Sequence, residues 1–164
     1  MNGLNRSIPL NKPDMIELIR TDSLNEDFRK LVMALDKDLA IRDGDDHPFF
    51  AQYNKLDSIK HVVVAYDGPA AVGCGAIKEY SAGVMEVKRM YVPPERRGQG
   101  IASLVLGELE RWAAELQYAS CILETGWKQP EAIALYKKNA YAVIPNYGQY
   151  AGVEASVCFE KVLQ

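Results

Sequence analysis

Over residues 85–112 a strand-like run, a Pro93-Pro94 corner, a basic glycine loop and a long amphipathic helix follow one another without a break. Few chains can satisfy that order except by pointing backbone N–H groups out of the helix start. Gly98 and Gly100 lack a Cβ, so the backbone around them can turn tightly and approach a ligand closely. The helix beginning near Ile101 leaves its first N–H groups without internal partners and carries a partial positive charge at that end. An anion docks there. Arg96 and Arg97 add fork-shaped donors suited to pyrophosphate oxygens. A nucleoside-triphosphate loop would need Lys and Ser/Thr after Gly100, where Ile101 and Ala102 stand, and a dinucleotide fingerprint would need glycine at Ser103. Both are excluded.

The flanking segments supply the rest of a mixed sheet. Residues 15–21 alternate apolar and polar as a half-buried strand does. Asp22 and Ser23 offer capping oxygens for a helix over about 24–41, whose Phe28, Leu31, Val32, Leu35 and Leu39 recur at three and four residues. After a polar link, Phe49, Phe50, Tyr53 and Leu56 have the spacing of a short second helix. Residues 61–66 and 70–79 flank Asp67-Gly68-Pro69 as a hairpin, and residues 84–92 form the strand that feeds the glycine loop. Gly73 and Gly75 weaken their strand but allow a close approach. Alternation puts Glu86, Lys88 and Met90 on one face of residues 84–92 and Val87, Arg89 and Tyr91 on the other. Leu104, Val105, Leu109 and Trp112 are the buried stripe of the helix at 101–116. Residues 120–125 follow it as a strand, parallel to the one before the loop because a helical crossover intervenes. Pro130 opens a further helix, and strands at 141–144 and 155–163 are separated by a turn-rich segment. Residues 1–13 form an irregular lead-in, with Pro9 and Pro13 opposing regular pairing.

The pattern Arg97-x-x-Gly100-x-Ala102, between a strand and a helix, resembles the coenzyme A signature of the GNAT superfamily of acyl-CoA-dependent N-acyltransferases. Residues 134–141 resemble that superfamily's Leu-Tyr-x-Lys-x-Gly-Phe block, with Ala140 in place of glycine. A left-handed cap costs alanine free energy, so either Asn139 takes the cap or the helix ends differently. Gln129 stands nearest the superfamily's usual asparagine.

The resemblance implies an α/β (α+β) fold, with a mixed, mostly antiparallel sheet of about seven strands flanked by about four helices, in one N-acetyltransferase domain over residues 1–164. It also implies acetyl-CoA as co-substrate. The backbone of Met90, Tyr91 and Val92 would run beside pantetheine where neighbouring strands part. Arg96, Arg97, Gly98, Gln99, Gly100, Ile101 and Ala102 would hold the pyrophosphate, with Gln129 also binding the coenzyme and Tyr136 beside its sulfur.

Amide formation needs a neutral amine, a donor for the developing oxyanion and a proton for the leaving thiolate. By resemblance Tyr136 is the general acid and Glu86 the base. Glu124 on the next strand is the rival base, and ion pairing with Lys88 or Arg89 is the alternative role for each carboxylate. Arg42, Lys88 and Arg89 are cations that would suit a carboxylate-bearing amine. Phe50 and Tyr53 either wall the acceptor site or pack their helix on the sheet, and Tyr147 with Tyr150 forms either a wall or an exposed loop. The expected acceptor is the primary amine of a small molecule, an amino acid or a polyamine. The alternatives are a protein or peptide N-acetyltransferase and a non-catalytic acyl-CoA-binding module.

A net charge of −3 and a pI of about 5.5 give no electrostatic reason to expect nucleic acid or an anionic membrane as partner. Cys74, Cys121 and Cys158 read as buried thiols of a reducing compartment, and His47 and His61 lack metal-ligand spacing, so no metal is expected. No run of about 18 apolar residues occurs; a cytoplasmic protein is expected. The resemblance leaves a homodimer open.

Overall fold

The computed structural model describes residues 15–46 and 59–164. The β-branched run at 62–64 forms the spine of β2 (His61–Asp67), which pairs antiparallel with β1 (Glu17–Thr21) and with β3 (Ala70–Ser81). β4 (Val84–Tyr91) pairs antiparallel with β3, β5 (Ser120–Gly126) parallel with β4, and β7 (Ser156–Val162) antiparallel with both β5 and β6 (Ala142–Ile144). The result is a seven-stranded mixed sheet in the order β1-β2-β3-β4-β5-β7-β6.

Each face is covered by helices whose apolar stripes match it. α1 (Glu26–Asp43) lays Phe28, Leu31, Val32 and Leu35 on Val62, Val64, Cys74 and Ala76. α2 (Ile101–Glu115) packs Ile101, Val105, Leu106 and Leu109 on Val63, Ala65, Ile77 and Val87 from the other side. The anticipated close approach at β3 is made by this second layer. A Cβ on Gly75 would lie 2.5 Å from Met90 Sδ and 2.9 Å from Leu109 Cδ1, and one on Gly73 would lie 2.8 Å from Ile101 Cγ2. α3 (Pro130–Lys138) buries Tyr136 beside Tyr141 and Phe159, at ring-centroid distances of 5.8 and 5.9 Å. Three α-helices, rather than four, are present among the described residues; residues 49–56, expected to form the other, lie outside them. None of the described helices is long and apolar enough to cross a membrane. Cys74, Cys121 and Cys158 are free and buried.

Three local expectations are corrected. The cap of α1 is Asn25, whose side chain accepts from Phe28 N at 2.9 Å, while Asp22 Oδ1 serves the turn before it through Leu24 N. In β4 simple alternation fails. Ala76 pairs with Lys88 but Cys74 pairs with Tyr91, so Arg89 and Met90 together oppose Gly75, and Arg89 takes a left-handed φ of 61°. This bulge resets the pleat. Met90 joins the α2 layer, whereas Arg89 and Tyr91 face α1 with Glu86 and Lys88. Finally, Ala140 itself occupies the left-handed position ending α3, at φ 69°. Ala140 N donates to Lys137 O and Tyr141 N to Tyr136 O, the paired bonds of a Schellman ending. Replacing Ala140 with Gly should therefore stabilise the fold by about 1 kcal/mol. The denaturant midpoint should rise at constant m-value; an unchanged or lower midpoint would show that the turn holds no such strain.

The feature that positions the site is where pairing stops. β4 and β5 are bonded only from Val84–Ser120 to Glu86–Ile122, although β4 runs on to Tyr91 and β5 to Gly126. β5 stays paired with β7 along its whole length, so β4 and β5 part like a wedge. Backbone groups of β4 beyond Glu86 face that opening without a strand partner there.

Candidate active site

Two adjoining cavities occupy the wedge. The larger, about 450 Å³, lies between the end of β4, the start of α2 and α3. Met90, Tyr91 and Val92 form one wall, Arg96, Arg97, Gly98, Gly100, Ile101 and Ala102 one end, and Gln129 and Tyr136 the side opposite. Of the expected cofactor residues only Gln99 does not line it; its Oε1 is buried without a hydrogen-bond partner.

The geometry of the glycine-loop end is that of an anion site. Gly98 and Gly100 both have φ 79°, a region that a side chain would strain, and Gly100 is the N-cap of α2. No side chain caps this helix and its first turn holds no acidic residue. The leading N–H groups and the positive end of the dipole are thus left to a ligand. Arg97 is held by Nε–H donating to Val92 O at 2.9 Å and lies over the Tyr91 ring, 5.8 Å from its centroid. Arg96 is tethered to the β2–β3 turn through Asp67, at 2.6 Å. Ser103 and Lys138 also line the cleft, and Asn139 Nδ2 donates to Ser103 Oγ at 3.1 Å, tying the end of α3 to the start of α2.

Arg42, expected near the substrate, sits on this larger cleft instead. Its Nη1 and Nη2 grip Glu131 at 2.6 and 3.1 Å and its Nε donates to Asp38 at 3.3 Å, so each of its three nitrogens already has an acidic partner.

The smaller cavity, about 120 Å³, shares Leu35, Met90, Gln129, Ala132 and Tyr136 with the larger. Tyr136 thus stands at their junction. Glu86, Lys88, Arg89, Glu124 and Asp43 supply its charged residues, and Thr125, Gln129 and Tyr150 add polar ones. Glu86 Oε2 accepts from Tyr147 Oη at 2.6 Å, and its Oε1 lies 3.3 Å from Lys88 Nζ. Tyr147 therefore touches this site through Glu86 and is not itself part of the lining. Glu124 Oε2 accepts from Ser156 Oγ at 2.6 Å. Burial pushes the Glu124 carboxyl up to about 7; Asp43 and Glu86 push the same way, against the Ser156 hydrogen bond and Lys88. The Tyr136 phenol is held well above its ordinary range, first by burial and then by Glu124, so it stays protonated at neutral pH. Phe50 and Tyr53 lie outside the described residues.

Asp43 and Ser156 were not singled out from the sequence. Ser156 reaches Glu124 only through the β5–β7 register, where Gly126 opposes Ser156 and Glu124 opposes Cys158. No spacing within either strand signals that contact. Tyr136 is different, since its block around residues 134–141 pointed to it directly.

The model of the acetyltransferase (GNAT) family matches residues 21–141. The chain belongs to the GNAT family. An IAA acetyltransferase of Azospirillum brasilense is 33% identical over 156 residues, which cover 90% of this chain and 98% of that one. The crystal structure of a candidate acyl-CoA N-acyltransferase from Klebsiella pneumoniae superposes with a TM-score of 0.77 at 29% identity, covering 92% of this chain and 99% of that one. A PaiA N-acetyltransferase from Thermoplasma acidophilum, crystallised with coenzyme A, has the same fold with a TM-score of 0.67 at 16% identity, covering 90% and 98% of the two chains. This GNAT protein is an acyl-CoA-dependent N-acetyltransferase.

Proposed function

We propose that the enzyme moves an acetyl group from acetyl-CoA to the primary amine of a small molecule, with both substrates bound together. The observation that carries this reading is the meeting of the two cavities at Tyr136. The larger suits the coenzyme. Its uncapped helix start, positive-φ glycines and Arg97 fit a pyrophosphate, and the unpaired edge of β4 at Met90, Tyr91 and Val92 suits pantetheine amides. Bound acetyl-CoA supplies a thioester carbonyl to be attacked by the amine.

The chain's own groups then handle the protons. The acceptor enters the smaller cavity as an ammonium, and Glu124 removes a proton so that the nitrogen lone pair is free. A carboxyl poised at about 7 is well matched to that task at neutral pH. Glu86 is the weaker candidate because both its oxygens are already engaged, by Tyr147 and Lys88. Tyr136 Oη delivers a proton to the departing sulfur. The small volume favours a compact amine over a protein segment.

Release of CoA from acetyl-CoA, measured across amines, amino acids, polyamines, IAA and short peptides, tests the assignment. Turnover with at least one small amine and little with peptides is expected. Turnover confined to peptides would replace it with protein acetylation, and tight acetyl-CoA binding with no turnover on any acceptor would make the chain a binding module.

A further inference from the structure

Arg89 has an arrangement that the chemistry so far does not use. Arg89 is among the residues lining the smaller cavity, and its side chain is 2% exposed. Nη1 meets Asp36 at 3.4 Å, a partner whose own side chain is 48% exposed. Nε and Nη2 are buried with no hydrogen-bond partner. These two N–H groups form one edge of the planar guanidinium, the parallel pair of donors that a carboxylate accepts in bidentate fashion. Buried donors left unpaired are costly, and a buried cation facing a half-exposed carboxylate is only partly compensated. Burial accordingly works against the charge, with Asp36 opposing that effect.

The backbone explains how the side chain reaches this place. In an unbroken pleat Arg89 would face α2 and its apolar layer. The bulge at Arg89 and Met90, with the left-handed φ of Arg89, turns the guanidinium toward the α1 face instead. Such a conformation is costly for any residue with a Cβ and persists where its surroundings impose it.

We propose that Arg89 is a specificity-determining residue whose Nε–Nη2 edge binds the carboxylate of the acceptor, which makes the acceptor a small aminocarboxylate of the amino-acid class. The lining then offers complementary charges. Glu124 takes the ammonium, and Arg89 takes the carboxylate. A polyamine would bring a second cation toward Arg89 and leave the same donors unpaired. This inference rests on the proposed transfer to a small amine.

The test compares each of several amino acids with its matched amine lacking the carboxylate, reading kcat/KM from CoA release by the wild-type enzyme and by Arg89→Gln and Arg89→Lys. The wild type should prefer the amino acid by roughly 30-fold or more, and Arg89→Gln should collapse that ratio toward unity. Arg89→Lys, which keeps the charge but loses the fork, should recover only part of it. An acetyl-CoA Kd like that of the wild type shows that a variant is folded. If a variant does not fold, the wild-type ratio alone decides. Equal or better turnover of the matched amines or of polyamines by the wild type would overturn the carboxylate assignment while leaving small-amine acetylation standing. Absence of turnover on every small amine and amino acid would remove both.

Discussion

Glu124→Gln is expected to lower kcat/KM by about 100-fold or more and to remove the acidic limb of the pH profile. The wild-type limb should lie near pH 7, because burial holds the Glu124 carboxyl at about that value and only its ionised form accepts the amine's proton. Glu86→Gln should keep a limb near the same pH, since both Glu86 oxygens are engaged by Tyr147 and Lys88 and the base role falls to Glu124. A limb lost in Glu86→Gln and kept in Glu124→Gln would reverse the assignment. Stability provides a second readout with its own sign. A carboxyl raised in the folded state keeps a proton that the unfolded chain releases, so the stabilising difference is fully present below about pH 4.5 and is lost as pH rises from there to about 7. Glu124→Gln removes the cost of burying the ionised group. Above pH 7 the variant should be more stable than the wild type, by about 2–3 kcal/mol at most, while being far less active. Thermal melts from about pH 4 to about pH 8 would show the gap opening between about pH 4.5 and pH 7 and staying level above that.

The opposed effects on stability and activity bear on what could be read in the chain alone. Local geometry was legible wherever one segment carries it. The strand, Pro-Pro corner, glycine loop and helix of residues 85–112 appear as expected, with Gly98 and Gly100 in the left-handed region and α2 starting at Ile101. The hairpin of β2 and β3 and the parallel placement of β5 against β4 also follow from the pattern of turns and crossovers, whereas the insertion of β7 between β5 and β6 does not. What was not legible depends on register between distant segments. The β4 bulge inserts one residue opposite Gly75, and nothing within residues 84–92 announces it. That single shift moves Arg89 from one face to the other and Met90 the opposite way, which decides the charge of the smaller cavity. Likewise Arg42, a plausible substrate cation by position in the chain, meets Glu131 across 89 residues and is spoken for by that pair. Ala140 shows the converse, a residue that local preference argues against but that the paired bonds at the end of α3 hold in a left-handed turn.

Tyr136→Phe should lower kcat by about 100-fold with little change in the Kd of acetyl-CoA. The argument turns on what the hydroxyl can and cannot be doing. The ring is 6% exposed and packs edgewise on Tyr141 and tilted on Phe159, contacts that phenylalanine preserves. A purely structural tyrosine would therefore tolerate the change with at most a small loss of stability and no selective loss of turnover. As the acid at the junction of the two cavities, however, it must hold its proton until the sulfur departs. Its burial and the nearby Glu124 both favour the protonated phenol. The proton-transfer role also predicts dependence on the leaving group. An acyl donor with a more acidic thiol needs less protonation, so the deficit of Tyr136→Phe should shrink with such a donor and be largest with acetyl-CoA. Unchanged turnover under saturating substrates would remove Tyr136 from the chemistry. An equal deficit for all donors would leave it as a group that positions the thioester rather than one that protonates the sulfur.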